Sequence, residues 1–450
     1  MTALPDGPLI AWVGDDFTGA AATLEVLTFA GLASVLFLTA PTAAQRDRFK
    51  GARGIGLAST ARAQSPAWMD HHLPAAFDAL RGFGAPIIHY KVCSTLDSAP
   101  GIGSIGRAIE LGRKAFADTW VAVLIAAPQL RRYQAFGHLF AGAPGGVYRL
   151  DRHPSMAHHP VTPMHESDVC RHLAAQTDAK FGVISLEDLA DDAERALAHC
   201  QAAKQSVIAF DAMTDADMAI IGGLLWRHQP RFVVGSQGIQ YALVEHWRAS
   251  GQLPAPPTAA NAGPVACLPV VSGSVSPVSA AQIAWAEHNG FAVIQLDAAG
   301  LARGDAGIVQ AALDAALIAI DDGRDPLICS ARGPDDPAVA ALTDTVNQLG
   351  LNLDQVQAEI GAALGQLLKS VLLTTGLRRA VVAGGDSAGF VCQCMDIYAL
   401  TALAQTVPGA PLMQAHSEDP AWQGLELALK GGQMGSADFF GWIKAGAGPQ

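Results

Sequence analysis

The sequence predicts an α/β protein of two domains, each a mostly parallel sheet flanked by helices. Three observations carry this: continuously apolar or β-branched runs recur along the 450 residues, most are followed by helical apolar spacing, and one Pro/Ala/Gly-rich segment separates two sets of them. Strands apolar throughout their length are those buried on both faces, as in parallel sheets covered by helices.

In chain order the runs of the first half are PLIAWVG, SVLFLT, PIIHYKV, WVAVLIAA, FGVISL, SVIAF and RFVVGS. Those of the second half are CLPVVSGS, FAVIQLD, PLICSA and AVVAGG. Between them lie helical patterns such as Ile105, Ala108 and Ile109, or Ile360, Leu364, Leu367, Leu368 and Val371. Residues 249–264 read ASGQLPAPPTAANAGP and lack side chains that could build a core, so the boundary is placed there. The expected organisation is a first domain at residues 1–252, a linker at 253–263 and a second domain at 264–450.

Bulk properties exclude several classes. No apolar run reaches the roughly 18 residues that a membrane span needs, and MTALPDGPLIAW lacks the basic region and cleavage site of a signal peptide, so a cytoplasmic protein is expected. Seven cysteines without a CxxC pair fit neither a disulfide framework nor a zinc cluster. A net charge of -12 with no Lys/Arg run argues against a nucleic-acid surface, and nothing points to a membrane partner.

Chemistry-bearing residues fall at strand carboxyl ends: GDDFTG, KVCST, GSQG, SGSVS, CSARGPDD and GGDSAG. A parallel sheet aims these ends at one edge, where open α/β sheets bind ligands. In GDDFTGAAATLEVL, Asp15 and Asp16 precede a helical pattern; one carboxylate suffices for a helix cap, so a cap and a substrate site both remain open. GGDSAG, residues 384–389, contains G-x-S-x-G, the nucleophile elbow of serine hydrolases, yet His416 is the one histidine after Ser387 and no HGGG-like segment precedes it. A glycine-rich turn that brings backbone N–H groups to phosphates is the favoured reading, over the hydrolase and over a mere tight turn. GIGSIG, residues 101–106, fits G-x-G-x-x-G but does not follow a strand directly, so it reads as a loop entering a helix. Lys91 and Arg107 flank it and could neutralise an anion, or be ordinary solvated bases. His158 and His159 diverge as neighbours and read as loop residues; no metal ligand set is assigned.

Together these segments resemble the four-carbon acid sugar kinase family, the ATP-dependent kinases of threonate, erythronate and 3-oxo-tetronate type. GDDFTGA resembles its N-terminal ADDxTGA and KVCSTL its K-x-D-S-T-L-R-G segment; FGHLFAG and PVTPMHESDV resemble further stretches of its first domain. SGSVSPVSAAQI, GGDSAG, VPGAP and LKGGQMGSADFF resemble its nucleotide-binding domain.

The resemblance implies acid sugar in the first domain, ATP in the second, and the active site in the cleft between them, with the domains closing over the reactants. By matched position it assigns Asp15, Asp16, Thr18, Lys91, Ser94 and Thr95 to the sugar site, and Ser274, Gly384, Gly385, Asp386, Ser387 and Gly432 to ATP. It further implies Mg²⁺ bridging the phosphates, Asp16 or Asp15 as the base that receives the hydroxyl proton, and leaves a homodimer open. Departures cluster in the sugar half: Ala21 and Ala22 replace a polar pair, Cys93 and Asp97 replace the Asp and Arg of D-S-T-L-R-G, His159 stands for an Asp, and Asp386 shortens the Glu of GGET. The CSTxDS-plus-GSIGR variant resembles the subgroup assigned to 3-oxo-isoapionate, a branched acid sugar. With the usual Arg absent, Arg107 or Lys91 is the expected carboxylate anchor, because a carboxylate without a cation in a closed site is costly.

Overall fold

The computed structural model describes residues 3–143, 145–159, 161–258 and 260–448, and the side chain of Asp386 lies outside the description. Pro160, the first residue of PVTPMHESDV, is also outside it. The chain forms two compact units, Met1–Pro257 and Thr258–Gln450.

The first unit is built on eight parallel strands. Their spatial order is Ser34–Phe37, Gly54–Leu57, Ile10–Gly14, Ile87–Lys91, Phe232–Gly235, Val121–Leu124, Val207–Phe210, Phe181–Ile184. IAWVG, IIHYK and VAVL are buried at every position, which is why they read as unbroken apolar runs. Helices Pro66–Arg81 and Ile105–Phe116 supply Phe77 and Phe116 to an aromatic cluster with Tyr90 and Phe232, ring centroids 5.3–6.3 Å apart. Ile105, Ala108 and Ile109 are the buried face of that second helix, as their spacing predicts. A three-stranded antiparallel sheet, Arg132–Ala135, His138–Ala143 and Gly146–Arg149, sits beside the parallel one.

The second unit orders its strands Phe291–Gln295, Asp325–Cys329, Val270–Ser272, Arg379–Ala383, Glu426–Lys430, Leu412–Ser417, Ile397–Ala404. The first five are parallel, Leu412–Ser417 runs antiparallel to them, and Ile397–Ala404 pairs antiparallel with Leu412–Ser417 and so points the same way as the first five. The long helix Leu353–Thr375 buries Ile360, Leu364, Leu367, Leu368 and Val371.

Both units share a local order in which the second and third strands lie to one side of the first and the fourth to the other. In the first unit Ile10–Gly14 is flanked by Gly54–Leu57 and Ile87–Lys91; in the second, Val270–Ser272 is flanked by Asp325–Cys329 and Arg379–Ala383. Such a reversal opens a crevice at the strand carboxyl ends, because the loops on either side of it leave in opposite directions.

His89, buried on Ile87–Lys91, ties the sheet to helix Gly238–Ala249: its Nε2–H donates to the Gly235 carbonyl at 3.0 Å, and its Nδ1 accepts from Gln240 Nε2 at 2.9 Å. Burial pushes the imidazole down from its ordinary 6.5 to about 3. Between those pH values the unfolded chain binds a proton that the folded chain does not, so stability falls as pH drops from 6.5 toward 3. The expected contribution is about 1.4 kcal/mol per pH unit, read by urea titration and absent in His89→Gln; equal slopes in the two proteins would contradict it.

Candidate active site

At the reversal point of the first unit the parallel ladder continues one residue past the strands: Asp15 N–H donates to the Lys91 carbonyl at 2.8 Å. Asp15 and Lys91, far apart in sequence, thereby emerge side by side. Asp16 is the N-cap of helix Phe17–Phe29, its Oδ1 accepting from Gly19 N–H at 2.9 Å and its Oδ2 from Thr18 Oγ1 at 2.7 Å. The cap reading is met by Asp16, which leaves the inner acid, Asp15, without a capping role.

Arg62, which the sequence reading did not single out, joins the two acids. Its Nε and Nη2 donate to Asp15 Oδ2 and Oδ1 at 3.1 and 2.6 Å, and Nη2 also reaches Asp16 Oδ1 at 2.8 Å. The Asp15 side chain is 3% exposed and that of Asp16 21%, so Asp16 is the carboxylate a ligand can meet. Burial raises the Asp15 carboxyl against the attraction of Arg62, and the neighbouring charge of Asp16 adds to the rise. Burial pushes Asp16 the same way, but Arg62 and Lys91 outweigh it and hold Asp16 below the usual carboxylate range. The environment thus drives the two acids apart, with Asp16 the more firmly ionised. Lys91 is buried beside them: a Cβ built on Gly19 would lie 2.7 Å from Lys91 Nζ and 2.2 Å from Asp16 Oδ1.

The turn after Lys91 carries Cys93, half-buried Ser94, Thr95 and Asp97. Thr95 Oγ1 donates to Asp97 Oδ1 at 2.8 Å and lies 2.9 Å from Cys93 Sγ. Burial, with Asp97 behind it, pushes the Cys93 thiol up, so this cysteine stays protonated. Leu96 holds a left-handed φ of 53° within the turn, a conformation bulky side chains rarely adopt. Asp97 interacts electrostatically with two arginines, Arg62 and Arg132.

Arg132 opens the antiparallel sheet. Its Nη1 donates to the carbonyls of Leu130, Arg131 and Gly142 at 3.2, 3.3 and 3.2 Å, and its buried Nε has no partner among the described residues. Arg107 stands elsewhere: its Nε bonds Asp70 and its Nη1 bonds Glu110 at 2.6 Å, so its guanidinium is taken up by two surface carboxylates. Of the two expected carboxylate anchors, Arg107 is thus held by its own helix and a neighbouring one, whereas Lys91 stands beside Asp15 and Asp16.

The second unit repeats the arrangement with different chemistry. Gly273 N–H donates to the Ala383 carbonyl at 3.0 Å and Gly384 N–H to the Lys430 carbonyl at 2.9 Å, which draws SGSVS, GGDSAG and LKGGQMG together. Gly384 adopts φ +126°, and a Cβ there would lie 3.0 Å from Ser387 Oγ and 3.5 Å from Ser274 N; a Cβ on Gly432 would lie 2.7 Å from Ser274 Oγ. Ser274, Ser387, Gly384 and Gly432 therefore converge, while Gly385 faces open space. Helix Gly385–Cys394 has Gly384 as N-cap and no side-chain cap, which leaves its first N–H groups for a bound anion. His416 bonds Thr401 Oγ1 at 2.9 Å. Behind the turn lie Ser276, Ser279 and the fully buried Lys430, which fall within SGSVSPVSAAQI and LKGGQMGSADFF but were given no role of their own by the sequence.

A charged, carboxylate-bearing strand end in one α/β unit and a serine- and glycine-lined turn in the other are the two candidate sites, and the similarity to known proteins assigns the class. Residues 10–243 match the family of the sugar-binding N-terminal domain and residues 270–440 that of the nucleotide-binding C-terminal domain. A 3-oxo-isoapionate kinase of Paraburkholderia graminis is 44% identical over 99% of this chain and 96% of its own length. A 3-oxo-tetronate kinase of Pseudomonas savastanoi pv. phaseolicola is 32% identical over 96% of each chain. Among solved structures, a Salmonella typhimurium LT2 protein aligns with TM-score 0.75 at 25% identity, covering 97% of this chain and 98% of that one. The Haemophilus influenzae protein HI1011 shares the fold, with TM-score 0.70 at 23% identity over 96% of this chain and 98% of its own. The chain belongs to the four-carbon acid sugar kinase family and is a phosphotransferase.

Gly19→Ala adds a methyl group where Asp16 Oδ1 and Lys91 Nζ already stand. Alanine suits a helix better than glycine, so the fold is expected to hold while acid affinity falls and ADP affinity stays. Calorimetric titration of each ligand checks this, and unchanged acid affinity would contradict it.

Proposed function

We propose that this protein uses MgATP to phosphorylate a hydroxyl of a small sugar acid, with a branched 3-oxo acid of the 3-oxo-isoapionate type as the favoured acceptor. The observation that carries the reading is Asp16: a partly exposed carboxylate held ionised by Arg62 and Lys91 at a sheet reversal point. The 44% identity to a 3-oxo-isoapionate kinase supports the acceptor.

Asp16 receives the acceptor proton as the hydroxyl oxygen attacks the γ-phosphorus, and the bond from that phosphorus to the β-phosphate oxygen breaks to release ADP. Little basicity is required of such a carboxylate, because the transition state is loose and proton transfer follows bond making. Asp15 is the inner acid that fixes Arg62 through both oxygens. Arg62 and Lys91 offset negative charge near the acceptor, and Arg132 takes the substrate carboxylate through Nη2, which makes no bond to the described residues. Thr95 and Ser94 supply hydroxyls at the rim.

In the second unit Ser274, Ser387, Gly384, Gly385 and Gly432 hold the phosphates, since close-packed glycines let backbone amides approach and hydroxyls donate to phosphate oxygens. These residues fit a nucleotide. Mg²⁺, when bound, would neutralise phosphate charge.

Asp16→Asn keeps a good helix cap and removes the charge. It is expected to lower kcat by about 10²- to 10⁴-fold with little change in thermal midpoint, measured by coupled ADP release; near wild-type turnover would refute the base assignment. Arg132→Met is expected to raise KM for the acid by about 10- to 100-fold while ADP affinity stays unchanged. An unaltered KM would place the anchor elsewhere.

A further inference from the structure

Lys430 ends the strand Glu426–Lys430 and is 0% exposed. A buried ammonium ordinarily faces a carboxylate, because desolvation of an unpaired charge is costly. Here its hydrogen bond among the described residues goes to Ser279 Oγ, at 3.2 Å. Three serines of one segment then continue inward from it.

An ammonium only donates, so Ser279 Oγ accepts from Lys430 and keeps its own proton to give. Three oxygens lie within reach of that hydroxyl: Ser274 Oγ at 2.9 Å, Ser276 Oγ at 3.2 Å and the Gly432 carbonyl at 3.4 Å, which already accepts from Ser276 Oγ. The shortest contact goes to Ser274. Ser274 Oγ also lies 3.4 Å from Ser276 N–H, so it is surrounded by donors and its own proton has no acceptor among the described residues. Ser274 is one of the hydroxyls at the phosphate cradle, next to Gly432 and Gly384.

We propose that Lys430 is a positioning residue for the nucleotide: through Ser279 it fixes the Ser274 hydroxyl as a donor pointed at a bound phosphate, and places a positive charge behind that hydroxyl. The inference rests on the kinase reading and deepens its nucleotide half. A hydroxyl without such a relay can turn its lone pair toward the ligand, and a phosphate oxygen would then meet an acceptor. With the relay, the site prefers anionic phosphate over a neutral nucleoside. Burial lowers the Lys430 ammonium to about 8, so its charge can be removed under conditions where the fold persists.

The test is calorimetric titration of the full-length protein with ADP and, separately, with adenosine, in wild type, Lys430→Met and Ser279→Ala. Each substitution is expected to weaken ADP on the order of tenfold and leave adenosine within about twofold, and the double variant to lose little more than either alone. A merely structural lysine would not move the pH profile. In wild type, ADP binding is expected to weaken as pH rises through about 8, because the free site then lacks the proton that the bound phosphate requires; the profile flattens in Lys430→Met. If both variants fail to fold, the wild-type profile alone decides, and a flat profile overturns the proposal. ADP binding indifferent to both substitutions overturns the relay and leaves the kinase reading intact. Failure of wild type to bind ADP at all overturns both.

Discussion

A single backbone hydrogen bond, Asp15 N–H to the Lys91 carbonyl at 2.8 Å, is what the sugar-side chemistry depends on. It extends the pairing of two adjacent parallel strands past their ends, so that residues 76 positions apart leave the sheet together. The bond from Gly273 N–H to the Ala383 carbonyl, 3.0 Å, does the same in the second unit. Each sits where the strand order reverses, and each gathers loops that no local interaction could bring together. The units differ in what those loops carry: paired carboxylates and buried cations in one, serines, glycines and an uncapped helix start in the other.

The charge cluster of the first unit follows from this geometry. Two carboxylates forced together in a buried place repel and lose hydration, and Arg62 makes the arrangement tolerable by bonding both. The outcome is unequal. Asp15 becomes a buried support with both oxygens engaged, whereas Asp16 caps a helix, remains ionised and keeps contact with solvent. The doubled acid in GDDFTGA is therefore a division of labour: one residue orients the arginine, and the other starts the helix while keeping an ionised oxygen within reach of solvent.

Much of the fold was legible because buried parallel strands leave long apolar runs; all eleven runs read from the sequence are strands. Gly54–Leu57 escaped because half of GIGL is glycine, demanded by Trp12, whose ring would lie 3.2 Å or less from a Cβ on Gly54 or Gly56. The antiparallel strands escaped because their pattern is mixed, as in RYQA, or because alternation of chain direction has no local signal. The acids, the Lys91 turn and the glycine loops were legible through their place at strand ends. Arg62 and Arg132 were not, since each comes from an element whose position was invisible, a single helical turn and the start of an antiparallel strand; Lys430 lay within LKGGQMGSADFF, but its burial at the end of the strand ELALK left no local signal. Arg107 drew notice from its proximity in sequence to the GIGSIG loop, but Asp70, on another helix, claims it. What sequence supplies poorly is the identity of long-range partners, and ion pairs are decided by them.

If the carboxylates of the first unit and the serine- and glycine-lined turn of the second serve one transfer reaction, the γ-phosphate of ATP must end on the acid. The most direct test incubates the full-length protein with 3-oxo-isoapionate and ATP radiolabelled in its γ-phosphate, then separates acid, nucleotide, inorganic phosphate and protein. The label is expected on the sugar acid, in amounts equal to the ADP formed. Label released only as inorganic phosphate, retained on the protein, or left on ATP across a panel of four- and five-carbon 3-oxo acids would contradict it.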